Sequence, residues 1–252
     1  MKEFFHYFFG AGQTQEFALF TFAHFAPMIW MIGMIFLIRW QRDRIRSWKH
    51  EPMLRYILAF ALIISEMAYY WRLVGLPELQ PNAVDNLPIG VCGWAVIFCS
   101  FMVIGKTQSL FDISYFWLLS GSVFAVLTPT PLNFTGPTRF RYYQFWAEHT
   151  LGYIAIFYMI FVHGMRPTFK SAVKSYIALA VMALIAYWVN DMLPGANYLF
   201  IARPEAAPSV LDILPPNFLL RLGIMAAVIT LMFFLAYLPW YIKDKKAQKV
   251  PA

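Results

Sequence analysis

The 252-residue chain is 60% hydrophobic and 13% charged, with a mean hydropathy of +0.57. Soluble domains sit near 45–50% apolar and about 25% charged, so a large soluble domain is excluded. The composition reads as an all-α, polytopic membrane chain with one integral domain, 1–252. The net charge of +7 gathers in alternate loops, a pattern of membrane orientation and not of a nucleic-acid face, and two cysteines exclude a disulfide scaffold or a zinc ribbon.

Seven segments fit the template of roughly 17–25 mostly apolar residues for a spanning helix. The first, about 17–38, carries His24 and an expected kink at Pro27, and its length predicts a retained helix instead of a signal peptide. The second, about 53–71, holds Glu66 near its end. The third, about 88–104, opens on Leu87-Pro88-Ile89-Gly90-Val91-Cys92, and the fourth runs over about 110–127. The fifth, about 142–162, contains Glu148 and His149. The sixth, about 173–190, starts beside Lys174, whose stem can snorkel to the interface, and the seventh covers about 218–242.

Basic residues follow the odd-numbered segments. Arg39, Arg42, Arg44, Arg46 and Lys49 are expected in the first such loop, Lys106 in the second, Arg166 and Lys170 in the third. Lys243 to Lys249 form a basic tail, whereas the other connections mix Arg72, Arg139, Arg141 and Arg203 with Glu16, Glu78, Glu205 and Asp212. The positive-inside rule then puts the N-terminus outside and the C-terminus in the cytoplasm, which needs an odd number of spans.

Depth is the useful coordinate for chemistry, because a helix rises about 1.5 Å per residue. With Pro88 at the first helical position, Cys92 falls in the second turn, about 6 Å below the outer border. By the same count Glu66 and His149 lie about 9 and 10 Å down. Three ionisable groups from three segments thus share one layer, and such groups inside spans face the protein interior or a wet cavity.

Each has two readings. Cys92 is a thiolate favoured by the helix start or a small packing residue; Cys99, about 16 Å down, reads as packing. His149 is a base toward that thiol or a histidine satisfied by Glu66, Glu148 or a carbonyl. Glu66 orients His149 or pairs with Arg72. Arg139 and Arg141 hold a phosphate headgroup or anchor the interface. Asn190 and Asn197 donate to an oxyanion or cap helices. His24 and His163 suggest no constellation.

Other classes drop out. The seventh span has no lysine for a retinal Schiff base, and the chain has no Gly-x-Ser-x-Gly elbow, His-Glu-x-x-His pair or Walker-type phosphate loop. No metal set and no cofactor motif is visible, so membrane lipids are the expected partners and nucleic acid is not.

The chain resembles the YwaF-like bacterial integral membrane proteins. The resemblance is carried by Leu87 to Cys92, Ser114-Tyr115-Phe116-Trp117, Leu127-Thr128-Pro129, Arg139 to Trp146 with His149, Gly164-Met165-Arg166-Pro167, Gly195 to Phe200, and Pro208 to Leu214, in that order. That family is similar to a eukaryotic transmembrane acyltransferase that uses a cysteine to move acyl chains between phospholipids, and to threonine-dependent androgen-induced-gene lipid hydrolases. The resemblance implies a nucleophile–histidine pair at the membrane border, with Cys92 and His149 at the matching positions, in a bacterial plasma membrane. It has one departure. The family often carries His two residues before the cysteine and an acidic residue just after it, where this chain has Gly90 and Gly93.

Overall fold

A computed structural model describes residues 2–10, 17–129, 135–203 and 213–248. Glu16, Glu205, Asp212, Lys249 and the stretch 208–212 fall outside the described residues. Every regular element among those described is helical. A short α1 (Lys2–Phe9) precedes the long α2 (Phe22–Ser47) and α3 (Glu51–Gly75). After the small turn α4 (Ala83–Asn86) come α5 (Val91–Gly105), α6 (Gln108–Trp117) and α7 (Val123–Leu127), the last two joined through a π-helical turn, Leu118–Ser122. The chain then forms α8 (Phe140–His163), α9 (Phe169–Met192) and α10 (Phe218–Ala247). Six of these helices, counting α6 to α7 as one, are long and apolar enough to cross a membrane, and α5 is a shorter apolar helix.

The helices alternate in direction, as their terminal contacts show. At one end, called here the α1 end, Tyr142 donates to Ala23 O at 2.6 Å and Gln144 to Ser65 O at 2.8 Å. At the far end, Arg46 caps the last turn of α8 through Phe161 O and Val162 O, and Arg55 caps α5 through Val103 O and Ile104 O. These guanidiniums satisfy carbonyls that a helix terminus leaves without partners. The central helix is α8, buried along most of its length, with α2, α3 and α5 packed around it. Trp117 donates to Ser175 O at 3.1 Å, and Tyr115 to Ala236 O at 2.8 Å, tying α9 and α10 to α6. The outward faces of α2, α9 and α10 are exposed and apolar, as lipid contact requires.

The arginines expected in the first loop lie instead on α2. Arg39, Arg42, Arg44 and Arg46 all precede Ser47, the last residue of that helix. Arginine is a good helix former, so the helix outlasts its apolar stretch. The sixth segment starts four residues before its expected boundary, because Thr168 and Ser171 form a reciprocal cap. Lys174 is one turn inside and bonds Asp112 at 2.6 Å.

Two irregularities position the site. Helix α5 begins at Val91, so Pro88 is not its first residue and Cys92 lies in the first turn, not the second. Its 15 residues span about 22 Å, against about 30 Å for a hydrocarbon core. The extended lead-in Leu87–Gly90 makes up the difference, with backbone groups held by protein: Leu87 N–H bonds the Tyr198 hydroxyl, and Pro88 O accepts from Trp94 Nε1. The second irregularity is the π-turn. It exposes the Leu118 carbonyl, which accepts from Tyr153 OH at 2.8 Å. It also sets Gly121 beside Val91, next to the start of α5.

Candidate functional site

Cys92 and His149 meet at the α1 end. The His149 imidazole stands next to the Cys92 thiol. The ring is stacked on Phe145, with centroids 4.2 Å apart, and its Nδ1 lies 2.8 Å from Phe145 O. A carbonyl only accepts, so Nδ1 carries the proton, which in a neutral ring leaves the lone pair on Nε2. The orienting acceptor is therefore a backbone carbonyl one turn back on α8, and not Glu66. His149 is buried while Cys92 is half-buried, so the thiol is the accessible partner.

Ser122, which the sequence reading did not single out, completes the contact. Its hydroxyl donates to Cys92 Sγ at 3.5 Å from the end of the π-turn. Such turns occur often at functional sites. The depth count that picked out His149 had a signal here too: Ser122 is five residues before the end of the fourth span, about 8 Å down. Cys99 is fully buried, its thiol 4.0 Å from Gly152 O, in keeping with the packing reading.

Glu66 does not reach Arg72, whose guanidinium goes to Phe9 O and Gly10 O. Its carboxyl lies near that of Glu148, which in turn accepts from Gln144 Nε2 at 3.0 Å. The place it occupies depends on Gly93. A Cβ built there would overlap the Glu66 carboxyl, falling 2.8 Å from Cδ and 3.0 Å from Oε2. An acidic group thus abuts the residue after Cys92, delivered by α3 and not by residue 93. Arg141 bonds Gln144 Oε1 and lies over the Tyr69 ring at 4.7 Å. Gln144, Glu148 and Glu66 form a buried polar column beside the thiol–imidazole pair.

The other candidates serve the framework. Asn190 exchanges two hydrogen bonds with the Tyr198 backbone, and Asn197 does the same with Arg203. Both amides brace a loop, and neither side chain caps a helix. Tyr198 in turn donates to Ala83 O and accepts from Leu87 N–H, so this loop holds the lead-in to Cys92. His24 is satisfied at both nitrogens: Phe20 N–H donates to Nδ1, and Nε2 donates to Val126 O. His163 does belong to a constellation, at the far end, bonding Glu51 at 2.8 Å. Arg139 packs on the Tyr7 ring at 3.8 Å and bonds Tyr7 O.

No solved structure matches the chain. An uncharacterised protein of Treponema pallidum (strain Nichols) is 31% identical over 160 residues, 62% of this chain and 63% of that protein, so the matched part is a little under two thirds of the relative's length. The TMEM164 family model matches residues 19–237, from ahead of α2 into α10, and so takes in every residue of the Cys92–His149 site. A match over most of the chain, with helices of this length and apolarity, makes this multi-pass membrane protein a member of the TMEM164 family.

Proposed function

We propose that this protein is a lipid acyl hydrolase or acyltransferase, a single integral membrane unit whose α1 end faces outward from a bacterial plasma membrane. The observation that carries the reading is the half-buried Cys92 thiol against an imidazole whose far nitrogen is fixed by Phe145 O. The YwaF-like resemblance and its cysteine-dependent relatives support the same pairing. In this reading the thiol proton moves to His149 Nε2 and the sulfur attacks the carbonyl carbon of an acyl ester. The S–C bond forms, the ester C–O bond breaks, and the leaving alkoxide takes the proton from His149. Water or a second lipid hydroxyl, deprotonated by His149, then attacks the thioester and frees Cys92.

The N–H groups in the first turn of α5 and the Ser122 hydroxyl are the donors for the developing oxyanion, since Asn190 and Asn197 are engaged in loop backbone. The test uses purified protein with phospholipid and lysophospholipid labelled in the acyl chain. Label moves to lysolipid or is released as fatty acid, and Cys92→Ala abolishes both. Unchanged turnover in Cys92→Ala or His149→Ala overturns the mechanism. Lipid-dependent stabilisation without turnover, insensitive to Cys92→Ser, would mean a lipid-binding protein instead.

A further inference from the structure

Above the polar column, Arg72 and Arg139 both reach the end of α1, and Arg141 stands two residues beyond Arg139 in the first turn of α8. Three guanidiniums together are costly without an anion. Elsewhere the chain answers such charges with carboxylates: Arg55 meets Glu51 at 2.9 Å and Arg166 meets Asp244 at 2.5 Å. Among the described residues no carboxylate lies within ion-pair distance of Arg72, Arg139 or Arg141.

What two of them touch is the end of α1. Arg72 Nε and Nη2 bond Phe9 O and Gly10 O at 2.5 and 3.0 Å, and Arg139 bonds Tyr7 O. These carbonyls are the negative end of a helix dipole, a partial charge where a full one would be better matched. Arg139 is only 8% exposed, and its Nε has no hydrogen-bond partner among the described residues, so the site holds donor capacity that α1 does not use. The rest of the hold on α1 is light. It consists of exposed contacts of Tyr7 OH with Thr138 and His6 with Glu78, and of the half-buried rings of Phe8 and Phe9 against Phe140 and Tyr143. Helix α1 also precedes the stretch that matches the family.

We propose that Arg72, Arg139 and Arg141 form a binding site for a phosphate ester anion, and that α1 covers it as a displaceable stand-in whose carbonyls the phosphate replaces. Arg72 and Arg139 present paired N–H donors, the fork that suits phosphate oxygens. Arg141, braced by Gln144, links the site to the column beside Cys92. Naming a phospholipid headgroup as the source rests on the acyl-transfer reading; the anion site does not.

The experiment follows a spin label at Phe5→Cys in full-length Cys92→Ala, Cys99→Ala protein in detergent micelles, at constant ionic strength. Short-chain phosphatidylcholine is compared with diacylglycerol of the same chains, and glycerol 3-phosphate with glycerol. The expected result is a saturable rise in label mobility with the phosphate-bearing member of either pair only. Arg72→Gln and Arg139→Gln each raise the half-saturating concentration about tenfold or more. Arg139→Lys, which keeps the charge but not the fork, falls between and guards against misfolding. A response to the phospholipid alone identifies a headgroup site, and a response to both compounds identifies a general phosphate site. No response to either, or the same response in the glutamine variants, overturns the proposal. Because Cys92 is absent throughout, that failure is distinct from failure of the acyl-transfer reading, which turnover by the native protein decides.

Discussion

The two ends of the bundle use nearly the same residues to opposite effect. At the far end Glu51 accepts from Arg55, Tyr158 and His163 at 2.7–2.9 Å, and Arg55 Nη1 bonds two carbonyls at the end of α5. Within this cluster the carboxylate and the guanidinium answer each other. At the α1 end a carboxyl faces a carboxyl, an imidazole faces a thiol, and arginines face carbonyls. A glutamate and a histidine near a membrane border therefore say little alone; what surrounds them decides between an ion-paired clamp and a histidine set beside a thiol.

Exchanging matched residues tests that contrast. His149→Ala is expected to cut turnover by about 10²–10⁴-fold, the usual worth of a general base, while the unfolding midpoint moves little. His163→Ala should do the reverse, lowering the midpoint and leaving turnover per folded molecule intact. Turnover loss in His163→Ala matching that of His149→Ala would erase the distinction. Arg55→Ala strands Glu51 and is expected to cost about 3–5 kcal/mol in unfolding; a cost below about 1 kcal/mol would mean that the far end is no clamp.

A smaller effect probes the α1 end. Gly93→Ala pushes its Cβ into the Glu66 carboxyl and is expected to cost about 1–3 kcal/mol, as overpacking does. Adding Glu66→Ala should recover much of that cost, since the two positions share one space. Additive penalties would show that Glu66 is not held against Gly93. Smallest is Arg166→Gln, which removes the exposed pair with Asp244 and should shift stability by less than about 1 kcal/mol.

The fold was legible because an apolar run long enough to cross a bilayer needs no tertiary context to be recognised. Its edges were not: Arg39 to Arg46 look like a loop only if a helix must end where its apolar face ends. The site was legible to the depth of a layer. Counting rises placed Cys92, His149 and Glu66 together, and the structure joins Cys92 to His149, with Glu66 beside them on Gly93. Partners set by rotation about a helix axis were out of reach, which is why Phe145 O and not Glu66 turned out to orient the imidazole. So was α1, too short for any spanning template. Asn190 and Asn197 looked like donors because sequence cannot show that Tyr198 and Arg203 already use them.

The π-turn at Leu118–Ser122 fits one residue more into the helix than an α-helical turn would hold. Winding the same residues as an ordinary α-helix would rotate one half against the other by about 100°, one residue's share of a turn. Either Tyr115 and Trp117 would leave Ala236 and Ser175, or Ser122 would swing off Cys92. The surplus residue lets one helix obey two registers, the lower half phased to its neighbours α9 and α10 and the upper half to the thiol.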